Sequence, residues 1–215
     1  MKTILCILAH PDDAEIWAGG TLLKCIDNGY RVFSACFETQ DPERTKECIS
    51  SAGILGMEPP IFLAKKKNWW TIDDDDFKSA VKLITDIAPD LIITHPHNDI
   101  HPEHRLIASL AMKAAIVAGD RLHKGFEMLA CSSYNGMTLD GLFNPSIFVD
   151  ITSHWSRKIE AIGEYHTQDP PVSIRLTDAQ TVFYGNLVGA KRAEGFMAIP
   201  ILGEVRPQSL LNNLT

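Results

Sequence analysis

Several features that would place a chain in a particular class of protein are missing from this 215-residue sequence. Its five cysteines form no C-x-x-C pair and lie in apolar segments, which favours reduced, buried thiols over disulfides or a cysteine zinc site. No apolar run approaches the roughly 20 residues that a membrane-spanning helix needs. The short apolar run at the N-terminus leads into His10-Pro11-Asp12-Asp13 instead of a small-residue cleavage site. We therefore expect a cytoplasmic protein without a membrane partner.

Positive charge is also scarce. The chain has 20 Lys and Arg against 27 Asp and Glu, a formal net charge of −7, and the basic residues are scattered. Nucleic acids bind through a basic surface, so this pattern argues against them as partners. The Gly19-Gly20 pair lacks the G-x-G-x-x-G spacing of a dinucleotide-binding turn, so we expect no nucleotide cofactor there. We expect a small-molecule partner instead.

What the sequence does contain is a regular alternation of strand and helix patterns. Strands are expected at 3–8, 31–37, 61–64, 91–94, 127–131 and 146–149. Helices are expected at 14–28, 42–55, from 73 onward, 103–118, 153–165 and 178–194. This order predicts one α/β domain over residues 1–215, with a Rossmann-like, mainly parallel twisted sheet and helices on both faces. In the common strand order 3-2-1-4-5-6, strands one and four are neighbours, and ligands bind at their carboxyl ends.

Two polar clusters follow those two strands. The first contains His10 and Asp13, and the second is the ten-residue segment that ends at His104 and holds four of the eight histidines. Catalytic zinc usually takes three protein ligands and leaves one position for water. His10 and Asp13 with either His101 or His104 would make such a set, and Asp12 would remain beside the metal as a base.

The clusters also have a purely structural interpretation. One His-Pro-Asp-Asp segment is typical of a helix start with acidic capping, and a single His-x-x-His on a helix is often a surface feature. Two such clusters at the ends of neighbouring strands favour a functional site. A metal-binding protein without catalytic activity is the alternative from another class, and the presence of Asp12 favours an enzyme.

These residues resemble the PIG-L/LmbE-like family of metal-dependent de-N-acetylases, and the resemblance spans most of the chain. The family opens with a strand ending in Ala-His-Pro-Asp-Asp and then a Gly-Gly helix, as in 9–13 and 19–20 here. Its second signature appears as His101-Pro102-Glu103-His104. The resemblance implies a zinc-dependent hydrolase that removes acetyl from an N-acetylglucosamine-type sugar, and by analogy a possible homo-oligomer. Fe²⁺ also suits two histidines and one carboxylate.

The resemblance also implies a role for each residue of the motifs. The implied metal ligands are His10, Asp13 and His104. Asp12 would act as general base on metal-activated water, and His101 would polarise the carbonyl and, when protonated, stabilise the oxyanion. Glu103 stands where the family has an Asp that orients the first histidine of this motif. Amide cleavage on another scaffold, such as a thiol–sugar conjugate or another acylated amine, is the alternative within the same class.

Further residues are expected around the site. Arg44, which forms an Arg-x-x-Glu pair with Glu47, resembles a family residue that contacts substrate. The other expected substrate contacts are Asn98 and Asp99. Weaker candidates from a family-like segment are His166 and Gln168. We expect the aromatic residues Trp17, Trp69 and Trp70 to pack in the core or an interface, with a sugar-stacking platform as the alternative for the last two.

Overall fold

The computed structural model describes residues 1–38, 41–65, 71–205 and 207–214, and within these ranges a seven-stranded sheet forms the centre. Its strands are β1 (Thr3–Ile7), β2 (Arg31–Glu38), β3 (Ile61–Lys65), β4 (Leu91–Thr94), β5 (Glu127–Cys131), β8 (Ile147–Asp150) and β9 (Ala193–Ala198). A separate two-stranded hairpin consists of β6 (Met137–Thr138) and β7 (Gly141–Leu142). The pair Trp69-Trp70 lies outside the described residues.

Helices connect these strands. They are α1 (Asp13–Asp27), α2 (Pro42–Leu55), α3 (Asp74–Ile87), α4 (Pro102–Leu122), α5 (Trp155–Gly163) and α6 (Pro170–Val188). Short 3₁₀ turns occur at Tyr134–Gly136, Thr152–His154 and Leu210–Asn213. Among the residues that the structure describes, no helix has both the length and the apolar character needed to cross a bilayer.

The strand order is β3-β2-β1-β4-β5-β9-β8, and β1 to β5 pair in parallel. This confirms the predicted mainly parallel sheet and the predicted contact between strands one and four. On one side the sheet departs from the 3-2-1-4-5-6 order, because β9 inserts antiparallel between β5 and β8. The helix expected at 178–194 ends at Val188, and its last two predicted residues belong to β9.

The sheet is buried on both faces, which explains the uninterrupted apolar strands. Along β1, Ile4 and Cys6 face a core that includes side chains of α1, α2 and α5. The alternate residues Leu5 and Ile7 face a second core built with α3 and α4. Helices therefore cover both faces, as predicted, and the carboxyl ends of β1 and β4 lie side by side.

Helix starts and stops follow local rules. Asp41 caps α2 by accepting from the Glu43 amide at 2.9 Å, and Gly56 ends this helix in the left-handed conformation with φ 81°. His101 caps α4, and Pro102 occupies its first turn. The His-Pro motif is therefore both a helix start and the end of the loop that follows β4.

A buried ion pair between Lys158 and Glu194 packs against α1. The Lys158 ammonium is 2.6 Å from Glu194 Oε1, and Glu194 also accepts from the Gly20 and Thr21 amides at 3.0 and 2.7 Å. A Cβ at Gly20 would come within 2.7 Å of Ile151. The glycine pair in α1 therefore allows close packing against β9 and its neighbours.

Candidate metal centre and active-site pocket

The loop after β1 is tied down at its backbone. The His10 amide donates to Asp13 Oδ2 at 2.7 Å. Behind the loop, the Pro11 carbonyl accepts from the Tyr165 hydroxyl at 2.5 Å and from the Cys48 thiol at 3.4 Å. These contacts from α2 and the end of the α5 segment fix the position of the two aspartates that open α1.

The loop after β4 is organised around Asp99. This fully buried carboxylate accepts from the His101 amide at 2.7 Å and from the Ser133 hydroxyl. Its Oδ2 also lies 3.1 Å from His104 Nδ1. The other ring nitrogen of His104, Nε2, is buried without a hydrogen-bond partner and lies 3.5 Å from Asp13 Oδ1.

His10 has a matching arrangement. Its Nε2 is 2.7 Å from Glu103 Oε2, and its Nδ1 faces Asp13 Oδ2 at 3.3 Å. Burial alone would lower the pKa of His10, but the carboxylates of Asp13, Glu103 and Asp12 outweigh it and raise the pKa to about 10. The negative electrostatic potential that these carboxylates create at His10 suits a cation.

His10, Asp13 and His104 therefore each offer one ligand atom, and these atoms lie within 4.8 Å of one another. Each histidine is held by a carboxylate on its other nitrogen, which is the usual way that proteins orient metal-binding imidazoles. The orphaned His104 Nε2 is the observation that shows that these residues fit a metal, because an unpartnered buried nitrogen is costly. Burial would raise the pKa of Asp13, but its histidine neighbours hold it well below its usual range.

Two overlapping groups also bring three donors together among the described residues. They are His10 with His101 and Glu103, and His95 with Asp99 and His104. Asp13 is also close to an imidazole, because its Oδ2 lies 3.1 Å from His95 Nε2. In both of the other groups, however, the carboxylate holds the ring of a ligand histidine, Glu103 that of His10 and Asp99 that of His104. The group of His10, Asp13 and His104 leaves both of those hydrogen bonds in place.

A cavity of about 330 Å³ opens onto this cluster. Asp12, which is only 9% exposed, lines the cavity, and its Oδ1 accepts from Arg44 Nη2 at 2.7 Å. Arg44 also lines the cavity; its Nη2 is held by Asp12, whereas its Nε is buried without a hydrogen-bond partner. The predicted substrate residue is thus placed at the pocket, as a partner of the predicted base.

His101 also lines the cavity. Its Nδ1 accepts from the Glu103 amide at 3.2 Å, so the proton of the neutral ring lies on Nε2. Burial, followed by the electrostatic effect of the neighbouring His104 and His10 rings, lowers the pKa of His101. This environment favours the neutral ring and opposes the protonated form that the sequence led us to expect.

Two sequence predictions, the substrate contacts at Asn98 and Asp99, need correction. Asn98 does not line the cavity, because its amide bonds Asp140 at 2.7 Å beside the β6–β7 hairpin. Asp99 does not line it either, because it is buried beneath His104 with both oxygens engaged. The Glu103 side chain bonds the ring of His10, and its backbone amide donates to His101 Nδ1.

The Arg-x-x-Glu pair has a second function that the sequence did not reveal. Glu47 accepts from the Thr167 amide at 2.8 Å and from its hydroxyl at 2.5 Å. This fixes the segment before α6, where Gln168 and Asp169 line the cavity. His166 is exposed and does not line it.

Other residues of the site were not predicted. Trp17 donates its indole N–H to Asp13 Oδ1 at 3.0 Å and lines the cavity, so it contributes more than the predicted packing. Tyr134 packs against its ring at 5.2 Å. His95 is fully buried, stacks on His104 at 3.6 Å, and has a pKa lowered to about 4 by burial and by that neighbour. Its place directly after β4 was the one available sequence signal.

A doubly wound sheet with two histidines and one carboxylate at the carboxyl ends of its central strands is typical of a metal-dependent hydrolase. The chain matches the family described as PIG-L, GlcNAc-PI de-N-acetylase, over residues 5–115, and it belongs to that family. The family is one of hydrolytic N-deacetylases, which confirms the predicted family and enzyme class.

Two curated relatives extend the match along the chain. Diacetylchitobiose deacetylase of Thermococcus kodakarensis is 26% identical over 93% of this chain and 84% of its own. A probable N-acetyl-alpha-D-glucosaminyl L-malate deacetylase 2 of Bacillus cereus is 23% identical over 84% of this chain and 93% of its own.

Solved structures share the fold. N,N'-diacetylchitobiose deacetylase of Pyrococcus horikoshii has a TM-score of 0.79 and 24% identity over 96% of this chain and 87% of its own. GalB, a 4-carboxy-2-hydroxymuconate hydratase of Pseudomonas putida, has a TM-score of 0.81 and 21% identity over 97% and 99%. At these identities the structural likeness establishes the fold alone.

Proposed function

We propose that this protein is a metal-dependent N-deacetylase that releases acetate from a small N-acetylated sugar of the N-acetylglucosamine type. The observation that carries the proposal is the cluster of His10, Asp13 and His104, of which His10 and Asp13 line the same cavity as Asp12 and His101. Family membership and the names of the two curated relatives support the acetylated sugar.

In this proposal His10, Asp13 and His104 hold one divalent ion, most simply Zn²⁺, with Fe²⁺ as the alternative for the same donor set. Such an ion supplies a Lewis acid that brings the pKa of water down to about 7. The chain supplies its orientation through Glu103 and Asp99, which hold the two imidazoles.

Asp12 is the proposed general base. Arg44 occupies its Oδ1, so the second oxygen is offered to the attacking water. As the water attacks the amide carbon, its proton passes to this carboxylate. Asp12 then returns the proton to the leaving nitrogen, so that acetate and a free amine result.

His101 is the proposed oxyanion donor, in its neutral form. Because its Nδ1 accepts from the Glu103 amide, its Nε2–H is available to donate to the carbonyl oxygen as negative charge develops. The lowered pKa favours the neutral ring, which can donate from Nε2 without first being protonated.

The main competing reactions share this fold. A hydratase neighbour shows that the architecture alone does not decide the reaction. Amide cleavage on a non-sugar scaffold would use the same residues. No described feature of this site favours either alternative over sugar deacetylation.

A product assay tests the proposal. The zinc-loaded protein is incubated with diacetylchitobiose, N-acetylglucosamine, an acylated thiol–sugar conjugate and a simple acetylated amine, and acetate is measured by proton NMR. Acetate release from a sugar, with one free amine per acetate, is expected. Turnover of the non-sugar amides alone would replace the sugar assignment, and absence of amide hydrolysis throughout would overturn the proposal.

A further inference from the structure

The connection between α5 and α6, residues 164–169, joins the loop after β1 to the cavity. Near its start, the Tyr165 hydroxyl donates to the Pro11 carbonyl at 2.5 Å. At its end, Gln168 and Asp169 line the cavity. This connection therefore contacts the metal-binding loop from behind and forms part of the surface that a substrate meets.

Helix α2 holds the connection at two places. The Ser50 hydroxyl donates to Glu164 Oε2 at 2.6 Å in an exposed position. One turn earlier in α2, the Glu47 carboxylate accepts from the Thr167 amide at 2.8 Å with Oε1 and from the Thr167 hydroxyl at 2.5 Å with Oε2. Glu47 is only 6% exposed, and a buried carboxylate needs such hydrogen bonds to offset its desolvation. The second attachment is therefore the specific one.

Thr167 passes this restraint to the residue that follows it. Gln168 Nε2 donates to the Thr167 carbonyl at 2.9 Å and lies 3.4 Å from the Thr167 hydroxyl. The carboxamide of Gln168 thus takes its orientation from the residue that Glu47 holds. Glu47 itself is not among the residues that line the cavity.

Glu47 has a second neighbour of interest on its own helix. Arg44 lies three residues earlier, a spacing that places two side chains on the same face of a helix. Arg44 pairs with Asp12 at 2.7 Å, whereas both Glu47 oxygens accept from Thr167. The hydrogen bonds of Glu47 therefore lead to the wall of the cavity, and those of Arg44 lead to the proposed base.

We propose that Glu47 is a positioning residue for substrate binding, which acts through Thr167 to hold Gln168 in the cavity. A carboxamide can donate and accept hydrogen bonds, as the hydroxyl groups of a sugar require. A side chain that is already held loses less conformational freedom when it binds a ligand. This inference rests on the proposed deacetylation of a sugar and assigns part of its substrate affinity to Glu47.

Two conservative variants test each side of the contact. Glu47→Gln keeps the shape and removes the charge, and Thr167→Val keeps the amide and removes the hydroxyl. With diacetylchitobiose as substrate, each should raise KM about three- to tenfold and keep kcat within about twofold. The double variant should raise KM no further than Glu47→Gln alone, because both changes remove the same contact. Thr167→Ser, which restores the hydroxyl, should return KM to the native value.

Three control variants separate this role from general effects. Ser50→Ala removes the other bond between α2 and the connection, at Glu164, which does not line the cavity. Glu43→Gln on α2 and Glu160→Gln on α5 each remove an exposed carboxylate that does not line it either. All three should leave KM within about twofold of the native value.

The kinetic pattern decides between the two neighbours of Glu47. An unchanged KM in Glu47→Gln and Thr167→Val would overturn the inference. A fall in kcat at constant KM, with a shifted pH profile, would also overturn it, because Glu47 would then act through Arg44 on the base. A rise of KM in Ser50→Ala as large as that in Glu47→Gln would show that any attachment of the connection suffices.

Binding of glucosamine, the amine that deacetylation of N-acetylglucosamine would release, separates this inference from the proposed function. It is titrated by calorimetry into the zinc-loaded native protein and Glu47→Gln. If no acetylated compound is turned over, this affinity takes the place of KM. Binding about three- to tenfold weaker in Glu47→Gln would then reject the proposed reaction and retain the positioning role. Equal affinity, or no binding by either protein, would reject both.

Discussion

The Glu103 carboxylate lies 2.7 Å from Nε2 of His10, so the residue that stands in the family's Asp position holds a predicted metal ligand. The backbone of the same residue bonds the ring of His101. One side chain and one amide of Glu103 therefore orient the two histidines that face the cavity. The sequence suggested a role for the Glu103 side chain at His101 and not its contact with His10.

This contact predicts an effect of Glu103 on metal affinity. In Glu103→Gln, the amide keeps the hydrogen bond to His10 but loses the negative charge that makes the imidazole a better ligand. Zinc affinity, measured by competition with a chromophoric chelator, should fall about 10- to 100-fold. Glu160→Gln should leave it unchanged. Unaltered zinc affinity in Glu103→Gln would show that the contact does not support the metal.

Asp12→Asn tests the proposed base. The amide has nearly the same shape but cannot accept the proton, so kcat should fall about 100- to 10,000-fold while zinc stoichiometry stays at one per chain. Loss of zinc from Asp12→Asn would instead make Asp12 a ligand.

His101→Ala should also retain zinc and lower kcat about 100-fold, because one oxyanion donor is lost.

The buried pair of Lys158 and Glu194 predicts a stability effect. Lys158→Met leaves the Glu194 carboxylate buried against the amides of α1 without its cation. The free energy of unfolding in urea should fall by about 3–5 kcal/mol. Lys113→Met, at an exposed position on α4, should change it by less than about 0.5 kcal/mol. A loss below about 1 kcal/mol in Lys158→Met would show that the pair contributes little.

Asp90 predicts a pH dependence. Burial opposes its ionisation, but the Thr3 amide at 3.0 Å, Lys124 and Lys2 lower the pKa of Asp90 below its usual 3.8. The unfolded chain then binds the proton more readily, so the stabilisation is complete above about pH 4 and is lost as the pH falls through the folded-state pKa.

The difference in unfolding free energy between the native protein and Asp90→Asn checks this sign. It should be about 1 kcal/mol or less at pH 6, because the group is partly exposed and its charges are screened by solvent, and it should shrink toward pH 3. A difference that grows in acid would contradict the assignment.

Local signals explain why much of the fold was predictable. The apolar run of β1, the Asp41-Pro42 start of α2 and its Gly56 stop each depend on neighbours in sequence. Strand β9 does not, because its residues include good helix formers, and its identity depends on pairing with β5 and β8. The buried Glu194 within it is tolerated only because Lys158 approaches from α5.

The residues of the site also fall into those that local sequence predicts and those that depend on distant elements. Topology and motif spacing bring His10, Asp13 and His104 together, and the structure places their ligand atoms within 4.8 Å. The contacts that hold each imidazole, and the side chains that line the rest of the cavity, come from elements that are distant in sequence. Trp17 and Asp169 reach the site through packing of α1 and α6, which no short motif records.

Zinc-dependent acetate release measures the proposed function most directly. The protein is stripped with a chelator and titrated with zinc, while bound metal and acetate release from diacetylchitobiose are followed together, with His104→Ala in parallel. We expect activity to rise in proportion to occupancy, to saturate at one zinc per chain, and to be absent from His104→Ala, which should not retain zinc. Acetate release that is independent of zinc, or full zinc binding by His104→Ala, would contradict the assignment of the metal centre.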